Sequence, residues 1–333
     1  MKFLIAGLGS IGRRHFRNLL TLGEQDILLY RTHHATLPDA DLAGFPIETD
    51  LPAALAHKPD AVIVSNPTAL HLQVAISAAE AGCHLLIEKP LSHSLDRVAE
   101  LEHVVHRNHV KVLVGFQFRF HPGLRQVKKL LSEGAIGEPI SARAHWGEYL
   151  PNWHPWEDYT QSYAALPELG GGVVLTLSHP LDYLHWLLGD VEAVWAFAGR
   201  KGLNIPVEDA AEIGLRFRNG ALGSVHLDYD QRPPSHILEI IGTQGTLRWD
   251  NADGTARLAQ VIADGKAAGW QAFPPPEGFE RNWLFLDELR HFCSVLRDEE
   301  QPVCTLEDGI RALRLALDAC QSDRLGKMVQ LQD

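Results

Sequence analysis

No stretch of this chain approaches the roughly 20 consecutive apolar residues that a membrane-spanning helix needs, so no span is expected. The apolar start at residues 3–8 is too short for a secretory leader, and Gly12-Arg13-Arg14-His15 ends it without a small-residue cleavage site. Paired cysteine motifs are missing too. Cys83, Cys293, Cys304 and Cys320 show no CxxC spacing and read as buried thiols of a reducing compartment. Positive charge is in deficit, with 30 Lys and Arg against 42 Asp and Glu. The net charge of -12 argues against broad contact with nucleic acid or an anionic membrane, while leaving room for a local basic pocket. HExxH and GxSxG patterns, internal repeats and low-complexity tracts are absent. His103, His106 and His109 recur three apart with no acidic ligand set and read as a solvated helix face, and His33-His34 as a loop, so no metal is expected. These absences leave a cytoplasmic enzyme with a small-molecule substrate as the expectation.

What is present is an ordinary globular composition, 45% apolar and 22% charged, over 333 residues, a length that suggests two domains. The most informative stretch is Gly7-Leu8-Gly9-Ser10-Ile11-Gly12, between an apolar run at 2–6 and an amphipathic helix carrying Ile11, Leu19, Leu20 and Leu22. Its spacing suits a strand-to-helix turn that admits a pyrophosphate. Gly7 permits the tight turn, Gly9 removes a blocking side chain, Gly12 lets the helix pack closely, and the N–H groups of the helix start at Ser10 and Ile11 face the anion. A second strand at 26–30 completes the unit. An acidic residue normally follows it to hold the ribose 2'-hydroxyl of NAD. Here Arg31 and Thr32 stand at that point, which favours the 2'-phosphate of NADP, the alternative being that Arg31 stacks on adenine of NAD.

Further strands are expected at 46–48, 61–64, 84–87 and 112–115, with helices at 51–57, 69–81 and 95–108 between them. That alternation predicts a Rossmann domain with a doubly wound parallel sheet over residues 1–120. Residues 121–333 change texture: a linking helix at 124–132, strands at 140–149, 191–198, 211–217, 221–229, 236–241 and 246–249, and helices at 282–297 and 306–322. Asn219-Gly220 and Thr243-Gln244-Gly245 are hairpin signals. The prediction is an α+β domain with a mostly antiparallel open sheet, with the C-terminal helix packing back on the first domain. A sheet covered on one side only leaves the other for a homodimer or homotetramer.

Two segments carry chemistry. Glu88-Lys89-Pro90 follows a strand at the carboxyl edge of the parallel sheet, where ligands of such folds bind. A lysine delivered there can transfer a proton beside a cationic nicotinamide. The second segment begins at Gly170-Gly171-Gly172, glycines that allow close approach to a cofactor or sugar ring. Beyond them Val174, Leu177, Leu181, Leu184 and Leu188 form one stripe of a single helix, with Thr176, His179, Asp182 and Tyr183 on the other face. His179 can shuttle a proton, with Asp182 or a backbone carbonyl orienting its ring.

Together with Ser65-Asn66-Pro67-Thr68 and His71, the run Gly115-Phe116-Gln117-Phe118-Arg119-Phe120, and residues 322–329, these segments resemble the Gfo/Idh/MocA oxidoreductases. The resemblance implies hydride transfer between a nicotinamide and a carbinol carbon of a sugar, cyclitol or sugar nucleotide. It implies that Lys89 and His179 are the acid/base groups, and that Ser65, Asn66, Pro67, His71, Glu88 and Gln117 line the cofactor pocket. Arg119, Trp153, His154, Tyr159, Tyr163 and Thr176 become candidates for sugar contact. One departure stands out: where many members place an aspartate four residues before the histidine, this chain has Leu175, so the carboxylate role passes to Asp182 or is absent. That leaves open a lyase or glycosidase reaction without net redox, or a non-catalytic nicotinamide sensor.

Overall fold

The computed structural model of the protein describes residues 1–32, 40–262, 265–266 and 268–331. His33-His34 lies outside the described residues. The chain divides into two compact units. The first comprises Met1–Gln117, Glu168–Gly170 and Arg281–Leu313; the second comprises Phe118–Pro167, Gly171–Glu280 and Arg314–Asp333.

In the first unit, β1 (Lys2–Ala6), α1 (Ser10–Thr21), β2 (Asp26–Tyr30), β3 (Ile47–Glu48), α2 (Leu51–Ala56), β4 (Ala61–Val64), α3 (His71–Glu80), β5 (His84–Glu88), α4 (Val98–Arg107) and β6 (Val112–Gly115) follow one another. Among the described residues they form a six-stranded parallel sheet in the order β3-β2-β1-β4-β5-β6. The central strands carry continuous apolar runs rather than alternation because both faces are covered: all four residues of β4 are buried. Asp50 caps α2 by accepting from the Ala53 N–H at 3.0 Å, ahead of Pro52. α4 begins at Val98, later than the pattern suggested, because Arg97 takes a left-handed φ of 63°.

The second unit holds α5 (Pro122–Ser132), β7 (Pro139–Gly147), α6 (Val173–Thr176), α7 (His179–Leu188), β8 (Val191–Gly199), β9 (Ala210–Phe217), β10 (Leu222–Asp228), β11 (Ser235–Gly242), β12 (Gly245–Asp250), β13 (Ala256–Gln260) and β14 (Gln271–Phe273). α8 (Asn282–Leu296) and the first part of α9 (Leu306–Leu325) cluster with the first unit, and β15 (Val329–Gln330) with the second. Among the described residues nine strands pair in the order β14-β13-β12-β11-β7-β10-β9-β8-β15, every pair antiparallel except β7 with β10. Alternating burial along β9 and β11 gives the sheet one packed face and one open face. The packed face holds Trp249, Tyr183, Tyr229 and Phe217; Phe197 on β8 is 60% exposed.

Two expectations are corrected here. Strands β13, β14 and β15 were not anticipated: all lie at or next to a sheet edge and are five residues or shorter, and the Asp253-Gly254 turn before β13 was the one local signal for them. The single helix after Gly172 is two helices, α6 and α7, interrupted at Leu177-Ser178. Pro180 has no N–H to offer the Thr176 carbonyl four residues back, and Leu177 leaves the helical region with φ -97° and ψ 34°, so α6 ends there and a new helix begins.

Candidate active site

The first unit builds a glycine turn between β1 and α1. Gly7 has a φ of +101°, and a Cβ there would overlap the backbone of Ser65 and Asn66 at the end of β4. A Cβ on Gly12 would run into the Gly7 carbonyl, so α1 approaches the turn as only glycine permits. The Ser65 hydroxyl donates to the Gly7 carbonyl at 2.9 Å, with that of Ala6 at 3.2 Å, locking turn to strand. Gly9 differs: apart from its chain neighbours, no described residue has an atom within 4 Å of where its Cβ would be. As N-cap of α1, Gly9 makes no side-chain cap, and the first turn carries no acidic residue. Ser10, Ile11 and Gly12 therefore present the positive end of the helix to open space, the electrostatic setting for an anion.

Beyond β4, His71 ties two loops together: its Nδ1 lies 3.0 Å from the Pro90 carbonyl and its Nε2 2.9 Å from the Asn66 carbonyl. Burial lowers its pKa, with the Asn66 carbonyl pulling the other way. Asn66 Oδ1 and Gln117 Oε1 are buried acceptors with no hydrogen-bond partner among the described residues. Arg31 is buried at the end of β2, its N–H donating to the Glu48 carbonyl at 3.1 Å; Thr32 is exposed. Glu88, buried at the end of β5, accepts from the His15 ring at 2.7 Å and from the Lys89 N–H at 3.2 Å. The Lys89-Pro90 bond is cis. Because β1, β4 and β5 are parallel neighbours, the glycine turn, the Asn66 loop and Lys89 all leave the sheet at the same edge.

In the second unit the polar face of α6 and α7 is buried. Arg119 grips Asp182 with a fork, Nη2 at 2.6 Å from Oδ1 and Nε at 3.1 Å from Oδ2, both residues nearly inaccessible. Both carboxylate oxygens are thus engaged by the guanidinium of Arg119, itself one of the expected sugar contacts. His179, the first residue of α7, packs edge-on against Phe118 at 4.8 Å and beside Trp146 at 5.4 Å between ring centroids. Trp146 in turn stacks on His236 at 4.4 Å. Thr176 hydrogen-bonds the Tyr229 phenol, whose pKa burial raises. Trp153, His154, Tyr159 and Tyr163 line one cavity with Leu150, Glu157 and Ser162, of about 10 Å³, room for about one water. The close approaches at Gly170-Gly171-Gly172 are to protein, not to open space. Added Cβ atoms would meet His93 and Thr68 at Gly170, the Ala164 carbonyl at Gly171 and the Glu208 carboxylate at Gly172. Phe118 stands in the run 115–120 already singled out, whereas Trp146 and His236, from two separate strands with no local motif, had no signal in the sequence.

A parallel six-stranded unit whose glycine turn opens an uncapped helix to an anion, with a lysine at the same edge, defines a dinucleotide-binding Rossmann domain joined to an α+β domain. The chain belongs to the Gfo/Idh/MocA oxidoreductases: the oxidoreductase family model with an NAD-binding Rossmann fold matches residues 1–116, and that of the GFO/IDH/MocA C-terminal domain matches residues 124–248. It is 30% identical to 1,5-anhydro-D-fructose reductase of Ensifer adhaerens, over 82% of this chain and 80% of the relative. Identity to myo-inositol 2-dehydrogenase of Thermotoga maritima is 28%, over 100% and 99% of the two chains. A levoglucosan dehydrogenase solved with NADH and levoglucosan shares the fold, with a TM-score of 0.88 at 20% identity over the whole of both chains. Among the described residues no helix is long and apolar enough to cross a membrane.

Proposed function

We propose that this oxidoreductase transfers hydride to or from a carbinol carbon of a sugar, cyclitol or sugar nucleotide, with Lys89 and His179 as its acid/base groups. The observation that carries the reading is the open space at Gly9 before an uncapped helix, on the edge where β5 delivers Lys89. These features fit a dinucleotide: the turn accepts its pyrophosphate, and Asn66 Oδ1 and Gln117 Oε1 are buried acceptors suited to a carboxamide N–H₂. Bound there, a nicotinamide supplies the hydride donor or acceptor. Lys89 holds the substrate oxygen and exchanges its proton, and His179, fixed between Phe118 and Trp146, is the second acid/base group. Asp182, held by Arg119, serves as the anchor of α7, the helix that begins with His179. Arg31 and Thr32, with no acidic residue at the end of β2, support NADP over NAD. The open sheet face with Trp195 and Phe197 supports a homodimer or homotetramer.

The test is a panel of sugars and cyclitols with each nicotinamide, read by coenzyme absorbance. Lys89→Met is expected to lower kcat about 100- to 10,000-fold while coenzyme binding stays within a few-fold. Unchanged turnover in that variant overturns the assignment of Lys89. Product formed by the wild-type protein without any absorbance change overturns net hydride transfer.

A further inference from the structure

Behind the glycine turn, three ionisable side chains from three elements meet in the interior of the first unit: His15 of α1, Glu88 of β5 and Glu288 of α8. Their ligating atoms lie within 4.8 Å of one another, His15 and Glu288 are fully buried, and Glu88 is 6% exposed. Glu88 has donors, the His15 ring at 2.7 Å and the Lys89 N–H at 3.2 Å. Glu288 has none: neither carboxyl oxygen has a hydrogen-bond partner among the described residues. The surroundings offer little solvation. Phe285, one turn earlier on α8, packs edge-on to His15 and under the Arg14 guanidinium, and Gly115 of β6 leaves just enough room for the Glu88 carboxyl. The charged groups facing the cluster are Arg14 of α1, Lys89 after β5, and Arg281, which acts on Arg14 from the start of α8.

Two carboxyls this close and this dry do not both stay ionised; the cluster must hold a proton or a cation. Two ligands of one metal at about 2.0–2.2 Å sit wider apart than the 2.7 Å between His15 Nε2 and Glu88 Oε1, so that edge is a hydrogen bond. The geometry points to Glu288 as a neutral carboxylic acid at neutral pH, its O–H directed at Glu88, which it fixes as the carboxylate beneath Lys89. Burial and the charge on Glu88 raise the pKa of Glu288 in keeping with this. Burial also works against ionised Glu88, but the His15 bond and the charge on Lys89 outweigh it and lower its pKa. Glu288 is thus a positioning residue that acts through Glu88 on the lysine turn, a role resting on the reading of Lys89 as the acid/base group.

Infrared difference spectra of ¹³C-glutamate-labelled wild-type protein against E288Q test the protonation directly. The expected result is the carbonyl stretch of a protonated carboxyl at neutral pH, shifted in D₂O and missing in E288Q. Thermal stability gives a second reading. A raised folded pKa contributes stability that is complete below the unfolded value near 4.3 and is lost as pH rises, so the Tm advantage of E288Q over wild type widens from about pH 5 to pH 8. For the positioning role, E288L is expected to lower kcat roughly tenfold with coenzyme affinity retained, and E288Q to regain most of it. No band lost in E288Q, a pH-independent Tm difference, or a stoichiometric metal lost in E288Q overturns the protonation. A band present while E288L keeps full kcat overturns the positioning role alone, and the spectra stand whatever the fate of Lys89.

Discussion

Both units open a helix after a cluster of glycines, and the two clusters are glycine for different reasons. At Gly7-Gly9-Gly12 two positions are crowded by the protein's own backbone and the middle one faces open space. At Gly170-Gly171-Gly172 all three are crowded, by His93 and Thr68, by the Ala164 carbonyl and by Glu208. Helix ends repeat the contrast. α1 begins with no side-chain cap, whereas α5 begins with His121 Nδ1 accepting from the Gly123 N–H at 3.0 Å. Lack of a side-chain cap does not by itself set α1 apart, since α3, α4, α7 and α8 lack one too; what distinguishes the first turn is the space at Gly9, which no described residue fills and which the proposed function assigns to a pyrophosphate.

The largest effect that sharpens this contrast is expected where internal satisfaction is most complete. Arg119→Leu takes the guanidinium away from a buried carboxylate and should cost about 3–5 kcal/mol in chemical denaturation; Arg119→Leu with Asp182→Leu together should recover much of it. A cost below about 1 kcal/mol for the single change would show that the pair is not the anchor of α7.

The next effect concerns the capped helix. Burial lowers the His121 pKa to about 4, so the ring stays neutral and can accept at Nδ1. Between pH about 4 and 6.5 the unfolded chain takes up a proton that the folded one refuses, so stability is complete above 6.5 and falls by roughly 3 kcal/mol toward pH 4. His121→Asn keeps a capping acceptor but cannot titrate. Denaturation at several pH values should show that part of the slope missing, and an unchanged slope would locate it elsewhere.

The smallest effects compare the glycines themselves. Gly172→Ala must adopt a φ near +111° against Glu208 and should destabilise by about 1–3 kcal/mol. Gly9→Ala meets no atom of the described residues beyond its chain neighbours and should change stability by less than about 0.5 kcal/mol, while weakening coenzyme binding measured by fluorescence titration. Equal stability costs at the two positions would erase the distinction between the turns.

What could be read along the chain was whatever repeats at short range. The strand-turn-helix of residues 2–21 is legible because the glycine spacing is short-range and a βαβ unit has a fixed order, although the atoms that crowd Gly7 belong to Ser65 and Asn66 at the end of another strand. The apolar runs of the parallel strands are legible because burial on both faces removes alternation. The stripe after Gly172 was legible as helix, but its break was missed, since one Pro180 counts little against five regularly spaced apolar residues. The candidate residues could be named but not their partners: that Arg119 closes on Asp182, 63 residues on, follows from packing and not from any spacing.

By itself the sequence determined the two kinds of sheet, the glycine turn between the first strand and helix, the placement of Lys89 at a strand end and the family, because backbone preference and hydrophobic period act locally. Only the tertiary structure decided which polar groups spend their charge on one another. Glu288 meets Glu88, His121 answers a helix end and Glu208 fills the space beside Gly172, because desolvation is felt only once distant elements close over a group.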